Sequence, residues 1–305
     1  MKKASLWYFV LVVIMFVWGT FYPLSKISVK TIDPLLMAFL RYFIGLAPLV
    51  PFFIVQMRKS GIKIPPKDIL GMGSLGLLGI TGFSILLFIG IKLSTATNGS
   101  LLANTQPIFT TLLAPVMMAE GFSGIRLAGA VIGIMGMVLV ITKGSFSGLD
   151  FSSQALVGNA LLVGAAVVMS LYNILIKPYL EKYNGLIPTV ITMGAGTFFL
   201  FFPVLFTRSG FKVIGNLQFT DILLLLYIGV VTTSLMYLLF NKTIQAVDVV
   251  NAMGFKSLIP VFGTLLSLVL IGEKAGFLTY MGFIIVILSI FFIQKTPRVK
   301  NKLFN

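Results

Sequence analysis

The chain has 305 residues, of which 58% are hydrophobic and only 10% charged, and its mean hydropathy is +1.05; an average soluble domain is about 25% charged, so this composition belongs in a bilayer. The sequence contains neither cysteine nor histidine, which excludes disulfides, thiolate and imidazole metal sites, Cys and His nucleophiles and a Ser-His-Asp triad. The formal charge of +15 points to anionic lipid headgroups rather than nucleic acid, because the basic residues fall in short gaps between apolar runs.

About 20 apolar residues make a spanning helix, and ten such runs are expected. Lys2 and Lys3 lead into the first, 5–27, which exceeds the 7–15 residues, roughly, of a signal-peptide core and is expected to be retained. It carries Trp18-Gly19 and Tyr22-Pro23. An interfacial aromatic belt explains Tyr22, whereas Trp18 lies deeper and is a candidate for the wall of a cavity. The second run, 34–56, holds Arg41 about two turns inside, where it either snorkels outward or binds; packing or snorkelling is the favoured reading. In the third, 68–91, glycines 71, 73, 76, 79 and 82 form a thin face for close helix contact rather than a nucleotide loop.

In the fourth run, 95–118, Ser100, Asn104, Pro107 and Thr111 follow helical spacing with Gln106 beside them. Pro107 is expected to kink the helix. Asn104 and Ser100 either bind solute or act as packing glue. Runs at 124–143, 155–177, 186–207 and 220–241 follow. The sixth aligns Ala166, Ser170 and Asn173, with Tyr172 alongside, and packing is slightly favoured there. Thr233, Tyr237 and Asn241 in the eighth make another inward polar line. The ninth, 246–271, keeps Lys256 on a face with Ala252, Pro260, Gly263, Thr264 and Ser267. The tenth, 275–294, precedes a basic tail.

Of the 23 Lys and Arg, fourteen fall on the side of the amino terminus, seven on the other, and Arg41 and Lys256 within spans. That bias puts both termini in the cytoplasm of a multi-pass cytoplasmic-membrane protein.

The chain also repeats itself. A shift of 153 residues lays NGSLLANTQPIFTTLLAPVMMAE on NAMGFKSLIPVFGTLLSLVLIGE, so that Asn98 meets Asn251, Pro107 meets Pro260, Glu120 meets Glu273 and, further on, Gly129 meets Gly282. Proline, asparagine and glutamate matches in one register indicate duplication. Five spans per copy is an odd number, so the second copy is expected upside down relative to the first, an architecture of secondary transporters. Pro107 and Pro260 then become paired kinks around a central space. Glu120 and Glu273 each precede a new helix and are expected to cap it.

WGTFYPLSK (18–26), LRYFIG (40–45) and the paired asparagine, proline and glutamate of spans four and nine resemble the EamA-type transporters of the drug/metabolite transporter superfamily. The resemblance covers nearly the whole chain, with a first repeat over 1–148 and a second over 149–305 that ends in a short basic tail. It implies an all-α integral membrane protein of ten transmembrane helices in two inverted five-helix repeats, and a recurrent arginine at Arg41 with no single role. The second copy departs from the pattern at MSLYN (169–173), where the family often has an aromatic-small pair beginning with Trp, and leaves Trp18 without a counterpart.

A charge at bilayer depth costs at least ~2.5–3.5 kcal/mol and is usually offset by water, a partner or a substrate. For Lys256 the alternative is snorkelling, since it lies two to three turns from the inner end. All eight acids lie at or near span ends, so no carboxylate is an obvious partner, and an acid-poor core with one inward cation favours a carboxylate-bearing solute. The expected function is therefore a secondary transporter of a small organic metabolite, exporting or exchanging it by alternating access as two halves rock. The alternatives are a channel or membrane scaffold and, less favoured, a membrane-embedded enzyme, for which no catalytic residue, metal ligand or cofactor site is visible. Lys256, Asn104, Tyr237, Asn241, Trp18, Ser100 and Asn173 are the expected substrate-binding residues, with Pro107, Pro260, Glu120 and Glu273 structural. Partners are a small-molecule substrate and membrane lipids; no cofactor and no nucleic acid are expected, and a homodimer is left open.

Overall fold

The structure is a computed structural model, which describes residues 2–118, 123–142, 153–183, 185–207, 210–246, 255–274 and 276–295. Helices dominate the described residues. They are α1 (Lys2–Ser28), α2 (Pro34–Ser60), α3 (Pro66–Leu93), α4 (Ala96–Leu102), α5 (Gln106–Met118), α6 (Gly124–Thr142), α7 (Gln154–Tyr183), α8 (Leu186–Leu205), α9 (219–246), α10 (Leu258–Ile271) and α11 (Phe277–Lys295). Seven of them, α1, α2, α3, α6, α7, α8 and α9, are long and apolar enough to cross a membrane, and α10 and α11 contain shorter apolar stretches. In hydrocarbon every backbone polar group must find its partner within the protein, which is why such runs become helices.

Helix ends are closed by nearby groups. The Asp33 carboxylate accepts from the Leu35 N–H at 2.9 Å ahead of Pro34, and Gly61, at φ 61°, ends α2 by donating to the Met57 carbonyl, as left-handed glycine caps do. At the end of α3 the Lys26 ammonium donates to the carbonyls of Ile91 and Lys92 at 2.7 and 2.9 Å and to that of Ser94, where the helix dipole favours a cation.

Two features depart from straight spans. The fourth expected span is interrupted at residues 103–105, between α4 and α5, and the ninth is interrupted at 256–257, just before α10. These breaks coincide under the shift of 153. Pro107 and Pro260 therefore do not kink continuous helices as the sequence suggested. Each sits in the first turn of a new helix, where a missing N–H costs nothing and φ is already suitable.

The second departure is a pair of π-helical stretches, Leu77–Gly82 inside α3 and Tyr227–Leu235 inside α9; the shift lays the first on residues 230–235 of the second. Their hydroxyls tie the halves together. Thr81 donates to the Gly196 carbonyl at 2.8 Å and Ser234 to the Gly45 carbonyl. The glycines beneath permit the approach: a β-carbon at Gly76 would collide with the Thr192 carbonyl oxygen, and one at Gly229 would stand 2.9 Å from Ile44 Cβ. Because lipid is as apolar as leucine, such close backbone crossings carry much of helix association in a membrane.

The two halves do not form separate five-helix bundles. The helices α1, α2, α9 and α10 pack as one group, and α3, α4–α5, α7 and α8 as another, so that each group draws on both halves; α6 and α11 form a third, paired unit. The groups meet along a seam, where α2 lies against α8 and α4 crosses α10.

Candidate functional site around the two helix breaks

At the crossing of the broken helices, Ser100 of α4 presses on Gly263 of α10, where a β-carbon would come within 2.5 Å of Ser100 Cβ. Ser100 is fully buried and its hydroxyl donates to the Thr97 carbonyl at 2.8 Å. These contacts place Ser100 in the packing between α4 and α10. The break in the first half follows one turn later and that in the second half lies two turns before Gly263.

The first break satisfies itself. Helix ends leave carbonyls without intrahelical partners, and here the side chains supply them. Asn104 Nδ2 donates to the Ser100 carbonyl at 2.7 Å and Gln106 Nε2 to the Ala103 carbonyl at 3.0 Å. Thr105 donates to the Leu102 carbonyl at 2.6 Å, and Ser170 of α7 to the Gln106 carbonyl at 2.9 Å. Asn104 Nδ2 also reaches the Tyr22 hydroxyl at 2.6 Å. Tyr22 is buried, so it belongs to this cluster and not to an interfacial belt. Asn173, which is exposed, donates to Gln106 Oε1 at 3.4 Å, and so joins α7 to the start of α5.

The second break holds Lys256. Its ammonium lies 5.7 Å from the centroid of the Trp18 ring and 5.2 Å from that of Phe240, rings that are themselves 5.1 Å apart. The indole N–H of Trp18 donates to the Thr232 carbonyl at 2.8 Å, in the π-helical part of α9, which fixes the ring under the cation. Two cation–π contacts at about 0.5–2 kcal/mol each offset much of the ~2.5–3.5 kcal/mol insertion cost. Rings cannot, however, accept three ammonium hydrogens as oxygens do. Among the described residues no hydrogen bond and no carboxylate meets Lys256, and the side chain is half-buried rather than sealed. Snorkelling is not what the geometry shows: the amine is held over two rings on α1 and α9.

Tyr237 is brought to a different neighbour, with its hydroxyl hydrogen-bonded to Thr189 and donating to the Gly185 carbonyl at 3.2 Å, which ties α9 to α8. Asn241 lies on α9 with its side chain outside the described residues, and Glu120 lies wholly outside them. Glu273 caps a helix, though not the one that follows it. Its carboxylate accepts from Ala96 N–H at 2.8 Å and from the Thr97 N–H and hydroxyl at 2.9 and 2.8 Å, at the start of α4 in the other half. No group of His, Cys, Asp and Glu able to hold a metal occurs among the described residues.

Sequence reasoning missed Phe240, Thr232 and Tyr22 as members of these clusters and favoured packing or snorkelling for Arg41. Arg41 Nε donates to the Thr233 hydroxyl at 3.0 Å, and its guanidinium lies 4.3 Å from the Phe21 centroid and 4.9 Å from that of Tyr42. The helical step from Trp18 to Tyr22 is the signal that could have joined the two clusters, since residues four apart share a face.

Seven long apolar helices, paired breaks and a polar seam define a multi-pass helical membrane protein. Within that class its family is specific: the chain matches the EamA-like transporter family over residues 5–142 and 156–294 and belongs to it, a family of transporters and not of enzymes. An uncharacterized transporter of Archaeoglobus fulgidus is 28% identical over 279 residues, covering 91% of this chain and 93% of its own. A probable amino-acid metabolite efflux pump of Salmonella typhimurium is 26% identical over 96% of this chain and 98% of its own. One crystal structure at 19% identity matches 96% of each chain with a TM-score of 0.64 and shares the fold.

Proposed function

We propose that this protein is a secondary transporter that moves a small carboxylate-bearing metabolite, with amino acids the favoured class, across the cytoplasmic membrane in export or exchange. The observation that carries the reading is Lys256: a cation at a helix break, held by rings and without a hydrogen bond to any of the described residues. The N-terminus of α10 starts at the same point, and a helix N-terminus adds positive potential to that of the ammonium. Broken helices of this kind present substrate sites in transporters. The amino-acid metabolite efflux pump of Salmonella typhimurium, similar along its length, supports the substrate class.

In this reading the chain crosses the membrane ten times as two inverted repeats, 1–148 and 149–305, with both termini cytoplasmic. Alternating access is motion of the two mixed four-helix groups across their seam, where α2 lies against α8 and Ser100 of α4 presses on Gly263 of α10. The five acids whose side chains are described, Asp33, Asp68, Glu181, Asp221 and Glu273, are at or near helix ends, and four of them bond to backbone N–H groups at helix starts or to the Lys182 ammonium. Coupling through a mid-membrane carboxylate therefore has no support.

Counterflow in proteoliposomes tests this. Vesicles loaded with an unlabelled L-amino acid should accumulate the labelled form transiently and saturably, and the matching amino-acid amides should not compete. Absence of counterflow across the amino acids and common organic acids would overturn the proposal; unsaturable flux would identify a channel instead.

A further inference from the structure

We infer that Arg41 is a second carboxylate-binding group, a station between the two helix breaks that receives the same anionic end of the solute that Lys256 holds. The inference rests on the transporter reading above and deepens it.

Arg41 is the other charge placed within a span, and the structure turns it inward. Of its donors, Nε is bound by Thr233, whereas Nη1 is buried and has no hydrogen-bond partner among the described residues. No acidic side chain among the described residues pairs with it. Phe21 and Tyr42 lie against the guanidinium and leave its edge as the way to bond an oxygen. An ordinary structural arginine in a membrane finds a carboxylate or carbonyls for its buried nitrogens; this one is half supplied. A guanidinium edge suits a planar carboxylate, which can accept from two of its nitrogens at once.

Its position connects the breaks. Thr233, which holds Arg41, follows Thr232, whose carbonyl holds Trp18 under Lys256. Phe21, under the guanidinium, precedes Tyr22, whose hydroxyl is held by Asn104 at the first break. Arg41 thus lies against residues of α1 and α9 that are sequence neighbours of those touching each break. A carboxylate leaving Lys256 past α1, α2 and α9 meets Arg41 next, so the carrier offers two successive cations and need not strip the anion of all charge partners in one step. Phe21 and Tyr42 also bound the site sterically, which confines the solute to one whose carboxylate projects from a narrow end.

Arginine modification with simple carboxylates as protecting probes tests this. The purified full-length protein is treated with hydroxyphenylglyoxal, and adducts at Arg41 and at the exposed Arg58 are followed by mass spectrometry. The probes are acetate, benzoate and L-phenylalanine, each compared with its neutral amide. At least one carboxylate should slow modification of Arg41 about tenfold while its amide does not, with Arg58 unaffected by either. Equal rates with every acid and amide, or an Arg41 that is never modified while Arg58 is, would overturn the inference. Arg41→Lys, which keeps the charge and loses the planar edge, supplies a second readout in counterflow: KM for the transported acid should rise with little change in melting temperature, and an unchanged KM would also overturn it. Wild-type counterflow separates the two readings, because a wild type that transports while Arg41 is neither protected nor needed defeats only this inference, and a wild type that transports nothing defeats the transporter reading.

Discussion

The two helix breaks occupy equivalent places in the duplicated chain and have opposite chemistry. At residues 103–105 the freed carbonyls are met by Asn104, Thr105, Gln106 and Ser170, and the cluster is neutral and closed. At 256–257 the residues matching Ala103, Asn104, Thr105 and Gln106 are Lys256, Ser257, Leu258 and Ile259, so Thr105 and Gln106 give way to apolar side chains and a cation stands over two rings. Duplication supplied two openings in the backbone. Sequence divergence left one neutral and hydrogen-bonded and placed a cation over two rings at the other.

The exchange of roles can be broken deliberately. The largest effect should come from Ala103→Lys, which places the second break's cation in the first. Ala103 is fully buried, and an unpaired ion taken from water costs several kcal/mol, as an order of magnitude. Folded yield and melting temperature in detergent should fall sharply; a variant as stable as the parent would show that the first break is as open as the second. Next comes Asn104→Ala, which removes the donor shared by the Ser100 carbonyl and the Tyr22 hydroxyl. Buried acceptors left without partners cost about 1–3 kcal/mol, so thermal stability should drop by that order while the solute's affinity changes little. An affinity loss without a stability loss would assign Asn104 to binding after all. The smallest effect is expected from Trp18→Phe, which keeps a ring under Lys256 and loses the N–H to Thr232. One hydrogen bond at about 0.5–1.5 kcal/mol corresponds to a roughly two- to tenfold weaker transport affinity in a competition assay, and a complete loss of transport would mean that the indole itself contacts solute.

Much of this was legible because membrane segments announce themselves. Apolar runs separated by polar gaps gave the helices, and matched Pro, Asn and Glu residues gave the repeat. Lys256 stood out because a charge in such a run demands an explanation. The breaks were hidden, since Ala103, Asn104, Thr105, Lys256 and Ser257 include no glycine or proline, and the prolines that mark them come after the interruption and read as kinks. The π-helical stretches of α3 and α9 are shifts in backbone register and have no side-chain signature of their own. Glu273 was recognised as a cap, but its helix begins at Ala96, 177 residues away, and a reading along the chain sees only the next helix. The partner of Arg41 was hidden for the same reason: Thr233 is separated from it by 192 residues. Charge and hydropathy reveal which groups are expensive to bury, while the partner that offsets the burial is a matter of tertiary contact.

The most direct measurement uses Trp18 itself. The chain has two tryptophans, so Trp7→Phe leaves Trp18 as the sole indole, lying under Lys256 at 5.7 Å. Titration with an amino acid that shows counterflow should change Trp18 emission saturably. In the same background Lys256→Met should weaken that titration by at least about tenfold, the equivalent of roughly 1.4 kcal/mol, and Lys256→Arg should retain part of it. Equal affinity with methionine at position 256 would contradict the account, since the cation at the second break would then have no part in holding the solute.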